Sequence, residues 1–500
     1  MNRLRSSTAS RRVRVLVSKW RLDRPELAGL LVLSVLACVL RSATLDLQSF
    51  SFDEAFTVGS VLGGSLGEAL EAIPRTESSP PLYYVLAWGW TRPLGLGEVG
   101  VRSLSALLGT ALIPVGFAAA RELVSARAGM VAAALLAVNP LLIHYSQEAR
   151  AYALFALLVT LSFWAFLVAR RSPSARNLGL WALASALALL THYFSIFVIV
   201  PEALWLLALT RPRRPAVLAV AAIAIVCATL IPLAARQADT RTAWISDLPL
   251  ADRVKEVAKK PLTGEFDPTT NVQLGGLALV LAAGVAYGLA RGQQHERRGF
   301  LVALALGTGL VLLPLALDLA GKDYLTAKNV LPAIPLVAIA VSAALGARGA
   351  GRAGLVATLA ACVFFTTVVI VQATDPRYQR ADYRAIAKNL GPPKPGVAVL
   401  VPYHGSAPLE LYSGAVQAGE ATITELQVAV PLQRGDLPGP ARLRTPPPPP
   451  GFTLIERVER PSFSRIGYLT DQPVPVTAAG LAEMAPGTPR FPPALLVWPQ

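Results

Sequence analysis

Four short polar segments interrupt an otherwise apolar chain, and their residue types suit proton transfer and the neutralisation of anionic charge. The first is Asp53-Glu54 in QSFSFDEAFT. A carboxylate here would act as a general base toward a hydroxyl; the plainer reading is a solvated loop start or the capped start of the next helix. The second is the run from His144 to Tyr152, which contains Glu148 and Arg150. It follows Asn139-Pro140, which should distort the end of the incoming helix. The plainer reading is a Glu148–Arg150 surface pair, worth little energy. Thr191-His192-Tyr193 is the third segment, and a lone histidine is more often a structural hydrogen-bonder than a catalyst. The fourth, Lys322 to Asn329 before LPAIP, includes Lys328. A lysine there either anchors a helix by snorkelling or supplies the cation that a lipid phosphate needs.

The elements that position these groups follow from hydropathy. Of the 500 residues 53% are hydrophobic and 15% charged, against about a quarter charged in soluble chains. Apolar runs of about 20 residues span the hydrocarbon core as helices, which satisfy their own backbone polar groups. The runs at 27–45, 102–120, 128–143, 151–169, 177–190, 195–209, 216–235, 273–290, 299–318, 329–346 and 353–372 predict an all-α polytopic membrane protein of about eleven spans. The net charge of +15 does not call for a nucleic-acid partner. Its arginines concentrate in the short loops 121–127, 170–176, 211–214, 291–298 and 348–352, as cytoplasmic loops require. Cys38, Cys227 and Cys362 each lie in an apolar run without metal-binding spacing.

The loop charges set a direction. The basic segment 1–26 is a cytoplasmic tail, 27–372 the membrane domain with a first outer loop at 46–101, and 373–500 an extracytoplasmic Pro-rich lobe. One run, Leu82 to Leu94 (LYYVLAWGWTRPL), is excluded from the spans. Counting it would break the alternation, and its Tyr and Trp residues favour the membrane interface. Gly63 to Ala72 is expected as a second short helix of that loop. In the lobe, DPRYQRADYRAIAKNL looks helical, VAVLVPY reads as a buried strand, and Pro446 to Pro450 as a polyproline linker or rigid turn. The expectation is a small, loosely built α/β lobe. With this topology, all four polar segments face the same, outer side.

Taken together, outward acids, outward cations and interfacial aromatics are the parts needed to move a sugar from a membrane-embedded lipid phosphate. Several motifs in order carry a resemblance. They are the Asp53-Glu54 pair, Ser79-Pro80-Pro81-Leu82-Tyr83-Tyr84, Asn139-Pro140 followed by Ser146-Gln147-Glu148-Ala149-Arg150 and Tyr152, Thr191-His192-Tyr193-Phe194, and Lys328 before Leu-Pro-x-x-Pro. Over residues 27–390 the chain resembles bacterial integral-membrane GT-C glycosyltransferases of the protein O-mannosyltransferase and aminoarabinose transferase superfamily.

That resemblance implies a polyprenyl-phosphate-linked sugar donor, inverting transfer on the outer face of the cytoplasmic membrane, and an acceptor that is a protein, glycolipid or polysaccharide of the envelope. It implies Asp53 as catalytic base, with Glu54 and Glu148 as further catalytic acids. Arg150, His192, Lys328, Tyr83 and Tyr152 become substrate-binding candidates. The family's late cation is more often Arg, and Lys328 lacks the bidentate fork of a guanidinium. Two acids could share a hard divalent cation, but no ligand set demands one. Two other readings compete. A transporter or lipid flippase should carry mid-span ionisable residues, and only Glu202 and Asp318 approach that description. A non-catalytic scaffold would be favoured if Asp53 and Glu148 lay far apart.

Overall fold

The computed structural model describes residues 22–241, 243–432, 445–485, 487 and 491–499. Most of the basic tail read as cytoplasmic therefore lies outside the described residues. Helix α1 (Arg24–Ser42) starts in a capping box: the Asp23 carboxylate accepts the Glu26 amide, and Glu26 reaches back to the Asp23 amide. Three short helices follow, α2 (Phe52–Thr57), α3 (Leu66–Thr76) and α4 (Leu82–Leu94). α3 begins at Leu66 rather than Gly63 because Ser65 caps it, again with a reciprocal Glu68. α4 has the bounds of the aromatic run kept out of the span list. Its Leu82 amide donates to Leu190 O (3.0 Å), and Tyr83 and Tyr84 are buried against the bundle.

The bundle continues as α5 (Glu98–Leu123), α6 (Ala126–Val138), α7 (Pro140–Ser146), α8 (Tyr152–Arg171), α9 (Ala175–Leu189), α10 (Ile196–Leu209) and α11 (Arg214–Arg241). It ends with α12 (Leu250–Thr263), α13 (Asn271–Arg291), α14 (Gln294–Leu319), α15 (Ala333–Leu345) and α16 (Gly351–Thr374). Each run read as a span falls on a helix. Length lowers the count, however: among the described residues seven helices are long and apolar enough to cross a membrane, or eight if the bent pair α6–α7 is one span. α9, α10 and α15 have 15, 14 and 13 residues. At about 1.5 Å per residue they fall short of a hydrocarbon core about 30 Å thick. The long helices expose Leu31, Val32, Val35, Ile225, Leu279 and Val363, an outer surface suited to lipid. The chain is thus a multi-pass membrane protein.

The 60° bend between α6 and α7 comes from Asn139-Pro140. Pro140 has no N–H for the Leu136 carbonyl and disfavours helix at Asn139. Asn139 Oδ1 then caps α7 by accepting the Leu142 amide (3.0 Å). The freed carbonyls find a donor in Arg41, whose guanidinium gives hydrogen bonds to Leu136 O (3.0 Å) and Ala137 O (2.8 Å). Arg41 stands inside the first apolar run; it is fully buried and repairs the broken helix.

Two polar ends result. At one, Arg171 pairs with Glu122, Arg121 with Glu26, and Glu296 accepts the Arg348 amide, so the Arg-rich loops gather there. At the other, Tyr193 donates to Gln237 (2.7 Å) and Asn139 Nδ2 to Pro261 O (2.9 Å), joining the segments expected to share a face. Glu202, within an apolar run, and Asp318, near a span end, both find partners, although Glu202 Oε1 has none among the described residues. Glu202 accepts Ser162 Oγ and Trp181 Nε1 (both 2.8 Å), and Asp318 pairs with Arg253 (2.7 Å).

Beyond α16 come α17 (Tyr383–Leu390), β1 (Val397–Val401), α18 (Ser406–Ser413), β2 (Val416–Ala418), β3 (Glu420–Pro431), β4 (Thr453–Glu459), β5 (Phe463–Thr477) and β6 (Ala494–Val497). They form one sheet ordered β2-β6-β1-β3-β5-β4, in which β1 and β3 run parallel and the other pairs antiparallel. All five residues of β1 are buried, as the continuous apolar run predicts. The expectation of a loose lobe is corrected. A six-stranded sheet carries apolar residues on both faces, with Leu400, Leu426 and Tyr468 in one core and Val399, Ala429 and Leu409 in the other.

Candidate active site

The short helix α2 separates the two adjacent acids. Ser51 Oγ accepts the Glu54 amide, and Glu54 Oε2 accepts the Ser51 amide (3.0 Å), so the sequence Ser-x-x-Glu closes a capping box. The Glu54 carboxylate is fully buried. It also takes Arg102 Nε and Nη2 (both 2.7 Å), Arg380 Nη1 (2.6 Å) and the Ala149 amide (3.0 Å). Burial alone would push its pKa up, but the two guanidiniums outweigh that and hold it well below the carboxylate range. The expectation of Glu54 as a catalytic acid is therefore corrected: both oxygens are occupied, and the residue ties four segments together.

Asp53 differs. Its side chain keeps 42% of its surface exposed, and Oδ2 lies 3.5 Å from Lys328 Nζ. Burial raises its pKa, while Lys328 and Arg150 more than offset this and leave it below its usual value. Lys328 in turn is held charged: desolvation is outweighed chiefly by Tyr152 and Asp53. Asp53 and Lys328, remote in the chain, are thus brought side by side.

Glu148 lies in the turn between α7 and α8 and is 8% exposed. Its carboxylate makes no hydrogen bond to any described residue, and burial raises its pKa to about 7, with Arg380 opposing and Glu54 and Asp53 adding to the rise. The Glu148–Arg150 surface pair does not form. Arg150 Nη1 instead binds Glu77 Oε2 (2.6 Å) and Thr57 Oγ1 (2.7 Å). Arg150 Nε has no hydrogen-bond partner among the described residues.

The remaining candidates divide. His192 is buried and stacks on Phe155 with ring centroids 4.2 Å apart; its Nδ1 accepts the Phe194 amide. Burial, with Lys328 and Arg150 adding, lowers its pKa to about 3, so it is a neutral cap. Tyr152 packs edge-on against Tyr145 (4.9 Å) near His192 (6.3 Å). Tyr83 is corrected. It is wholly buried with its hydroxyl 2.9 Å from Ser105 Oγ, which leaves no face for a ligand. Glu77, Arg102 and Arg380 were not singled out from sequence, because nothing local marks an acid or arginine whose partner is remote in the chain. Among the described residues no three His, Cys, Asp or Glu side chains converge as a metal set.

Residues 78–234 match the family model described as dolichyl-phosphate-mannose-protein mannosyltransferase. The match takes in Glu148, Arg150 and His192; Asp53 precedes it and Lys328 follows it. Over that segment the chain is similar to this mannosyltransferase family. No curated protein sequence matches. Among solved structures, the chain is similar to an oligosaccharyltransferase of Archaeoglobus fulgidus at 13% identity and a TM-score of 0.47, over 79% of this chain and 64% of that one. The chain thus spans under two thirds of that protein's length. ArnT from Cupriavidus metallidurans is 14% identical with a TM-score of 0.41, over 88% of this chain and 98% of that one. The S. cerevisiae Pmt1-Pmt2 protein O-mannosyltransferase is 15% identical with a TM-score of 0.33, over 43% of this chain and 33% of that one.

Proposed function

We propose that this protein transfers a monosaccharide, with inversion, from a polyprenyl-phosphate-linked donor to a hydroxyl of an envelope acceptor (protein, glycolipid or polysaccharide). The reaction takes place on the outer face of a bacterial cytoplasmic membrane, with the N-terminus inside and the sheet lobe outside. The observation that carries this reading is the Asp53–Lys328 contact at 3.5 Å, with Arg150 and Glu148 in the electrostatic neighbourhood of Asp53. An accessible carboxylate next to a fixed cation at the edge of a membrane bundle can serve both ends of a glycosyl transfer.

Asp53 accepts the acceptor's hydroxyl proton as that oxygen bonds to the anomeric carbon, and the bond from that carbon to the phosphate oxygen breaks with its electron pair leaving on the polyprenyl phosphate. Lys328 and the unpartnered Nε of Arg150 offset the charge that develops on the leaving phosphate. Lys328 drawn toward the phosphate no longer neutralises Asp53, which makes the carboxylate more basic when donor is bound. Glu148 in its protonated form donates a hydrogen bond that orients a substrate oxygen. His192 and Tyr152 form the wall.

Membranes carrying Asp53→Asn, assayed with polyprenyl-phosphate-linked mannose and pentose, should lose on the order of 10²–10⁴-fold in transfer. Wild-type rates at equal protein levels would remove Asp53 from the role. Failure of the unmodified protein with every lipid-phosphate sugar would remove the glycosyltransferase reading.

A further inference from the structure

The turn Tyr403–Gly405 connects β1 to α18, and Tyr403, the last residue of the VAVLVPY run, belongs to it rather than to the strand. It lies against Phe52, the residue next to Asp53. Phe52 meets Tyr403 at 5.2 Å and His404 at 5.3 Å between ring centroids, and Phe491 meets both of these rings at 5.2 Å. The turn is held in place from below. Tyr383 donates its hydroxyl to His404 O (3.3 Å), and Ser406 Oγ donates to Tyr403 O (2.9 Å). A Cβ on Gly405 would stand 2.5 Å from Val401 Cγ2, so the turn seats fully on the sheet.

The rings themselves are not sealed. Phe52, Tyr403 and Phe491 are half-buried and His404 is exposed. Among the described residues, neither the Tyr403 hydroxyl nor the His404 ring nitrogens have a hydrogen-bond partner. Although its surface is open, the His404 ring is partly desolvated by its neighbours, which lowers its pKa with Asp53 opposing and Lys328 adding, so at neutral pH it offers one donor and one acceptor. The patch therefore pairs aromatic faces with open polar tips beside the proposed base.

We infer that Phe52, Tyr403 and His404 form the acceptor subsite, and that the acceptor it takes is a carbohydrate ring rather than a polypeptide. This rests on the glycosyltransferase reading above. A sugar ring has an apolar C–H face and a rim of hydroxyls, which match ring faces and polar tips in one small area. A ring stacked on Phe52 and Tyr403 brings a rim hydroxyl to the neighbouring Asp53. An extended peptide binds best along a free strand edge, whereas β1, which leads into the turn, is flanked by β6 and β3 and offers none.

The test uses the full-length protein in nanodiscs, with methyl α-mannopyranoside, methyl α-arabinofuranoside and a Ser/Thr-containing peptide as probes. Saturation-transfer NMR should show at least one glycoside binding, weakened about 3- to 10-fold in Tyr403→Ala and in His404→Ala. Ile455→Ala, on an exposed strand of the same lobe, should leave it unchanged. In transfer assays the same two variants should raise the KM for acceptor and leave the KM for donor alone. Glycoside binding that is equal in folded wild type and both variants overturns the subsite but not the transferase. Peptide binding that is lost in the variants, without glycoside binding, overturns the carbohydrate assignment.

Discussion

Asp53 and Glu54 are adjacent, chemically alike and assigned opposite fates. Glu54 faces two guanidiniums and two backbone amides, while Asp53 faces one lysine and keeps much of its surface open. Glu54→Gln would leave Arg102 and Arg380 buried without their charge partner. Loss of one member of a buried pair costs roughly 3–5 kcal/mol, so the variant should unfold earlier in thermal scans of purified protein before any effect on chemistry is read. Glu148 makes a separate prediction in pH. Its carboxyl ionises near 4.5 in the unfolded chain and near about 7 in the fold. The folded state thus prefers the protonated form, and stability falls as pH rises across that interval. If the protonated form orients substrate, kcat/KM should decline on the alkaline side with an apparent pKa of about 7. Glu148→Gln keeps an N–H donor and cannot ionise, so that limb should flatten; a limb that stays in place assigns it to another group.

At the scale of elements, the break between α6 and α7 positions the turn that carries Glu148 and Arg150. Asn139-Pro140 announces the break in sequence, but the repair is remote. Arg41 reaches from α1 to the two carbonyls that the bend exposes. Arg41→Leu would keep the apolar volume and remove those donors. Each buried carbonyl left unsatisfied costs about 1–3 kcal/mol. The expected outcome is lower thermal stability, accompanied by reduced transfer because α7 shifts. A variant as stable as wild type would show that water replaces Arg41. Helices α9, α10 and α15 show what hydropathy cannot see: the folded ends hold these apolar helices to 15, 14 and 13 residues.

The whole molecule is held together around the first polar loop. Ser49 Oγ accepts the Tyr383 amide and donates to Ala381 O. Arg384 reaches Asp46 O and Glu98, and the Tyr412 hydroxyl accepts the Phe50 amide while donating to Glu98 Oε1 (2.6 Å). The sheet lobe is thus a clamp on the segment that carries Asp53. Tyr412→Phe deletes both hydrogen bonds and strands the Phe50 amide, at a cost of about 1–3 kcal/mol. Limited proteolysis should then cut more readily within 43–52, with transfer reduced in parallel. Unchanged proteolysis with normal activity would show that the clamp is not needed.

Sequence alone determined the helical membrane body, the grouping of polar segments at one end, the strand at Val397–Val401, the bend at Pro140 and the short list that held Asp53, Glu148 and Lys328. Those are properties of contiguous segments: hydropathy over a helix length, charge in a short loop, a missing N–H. Tertiary structure alone decided which acid of the pair stays available. The partners that consume Glu54 lie in α5 and just before α17, and no local pattern at Ser51–Glu54 encodes their approach. The same holds for Arg41, for the pairing of Arg150 with Glu77, and for the placing of His404 beside Asp53. Each is a contact between groups remote in the chain, brought together only when apolar faces pack and desolvation forces every buried charge to find a partner.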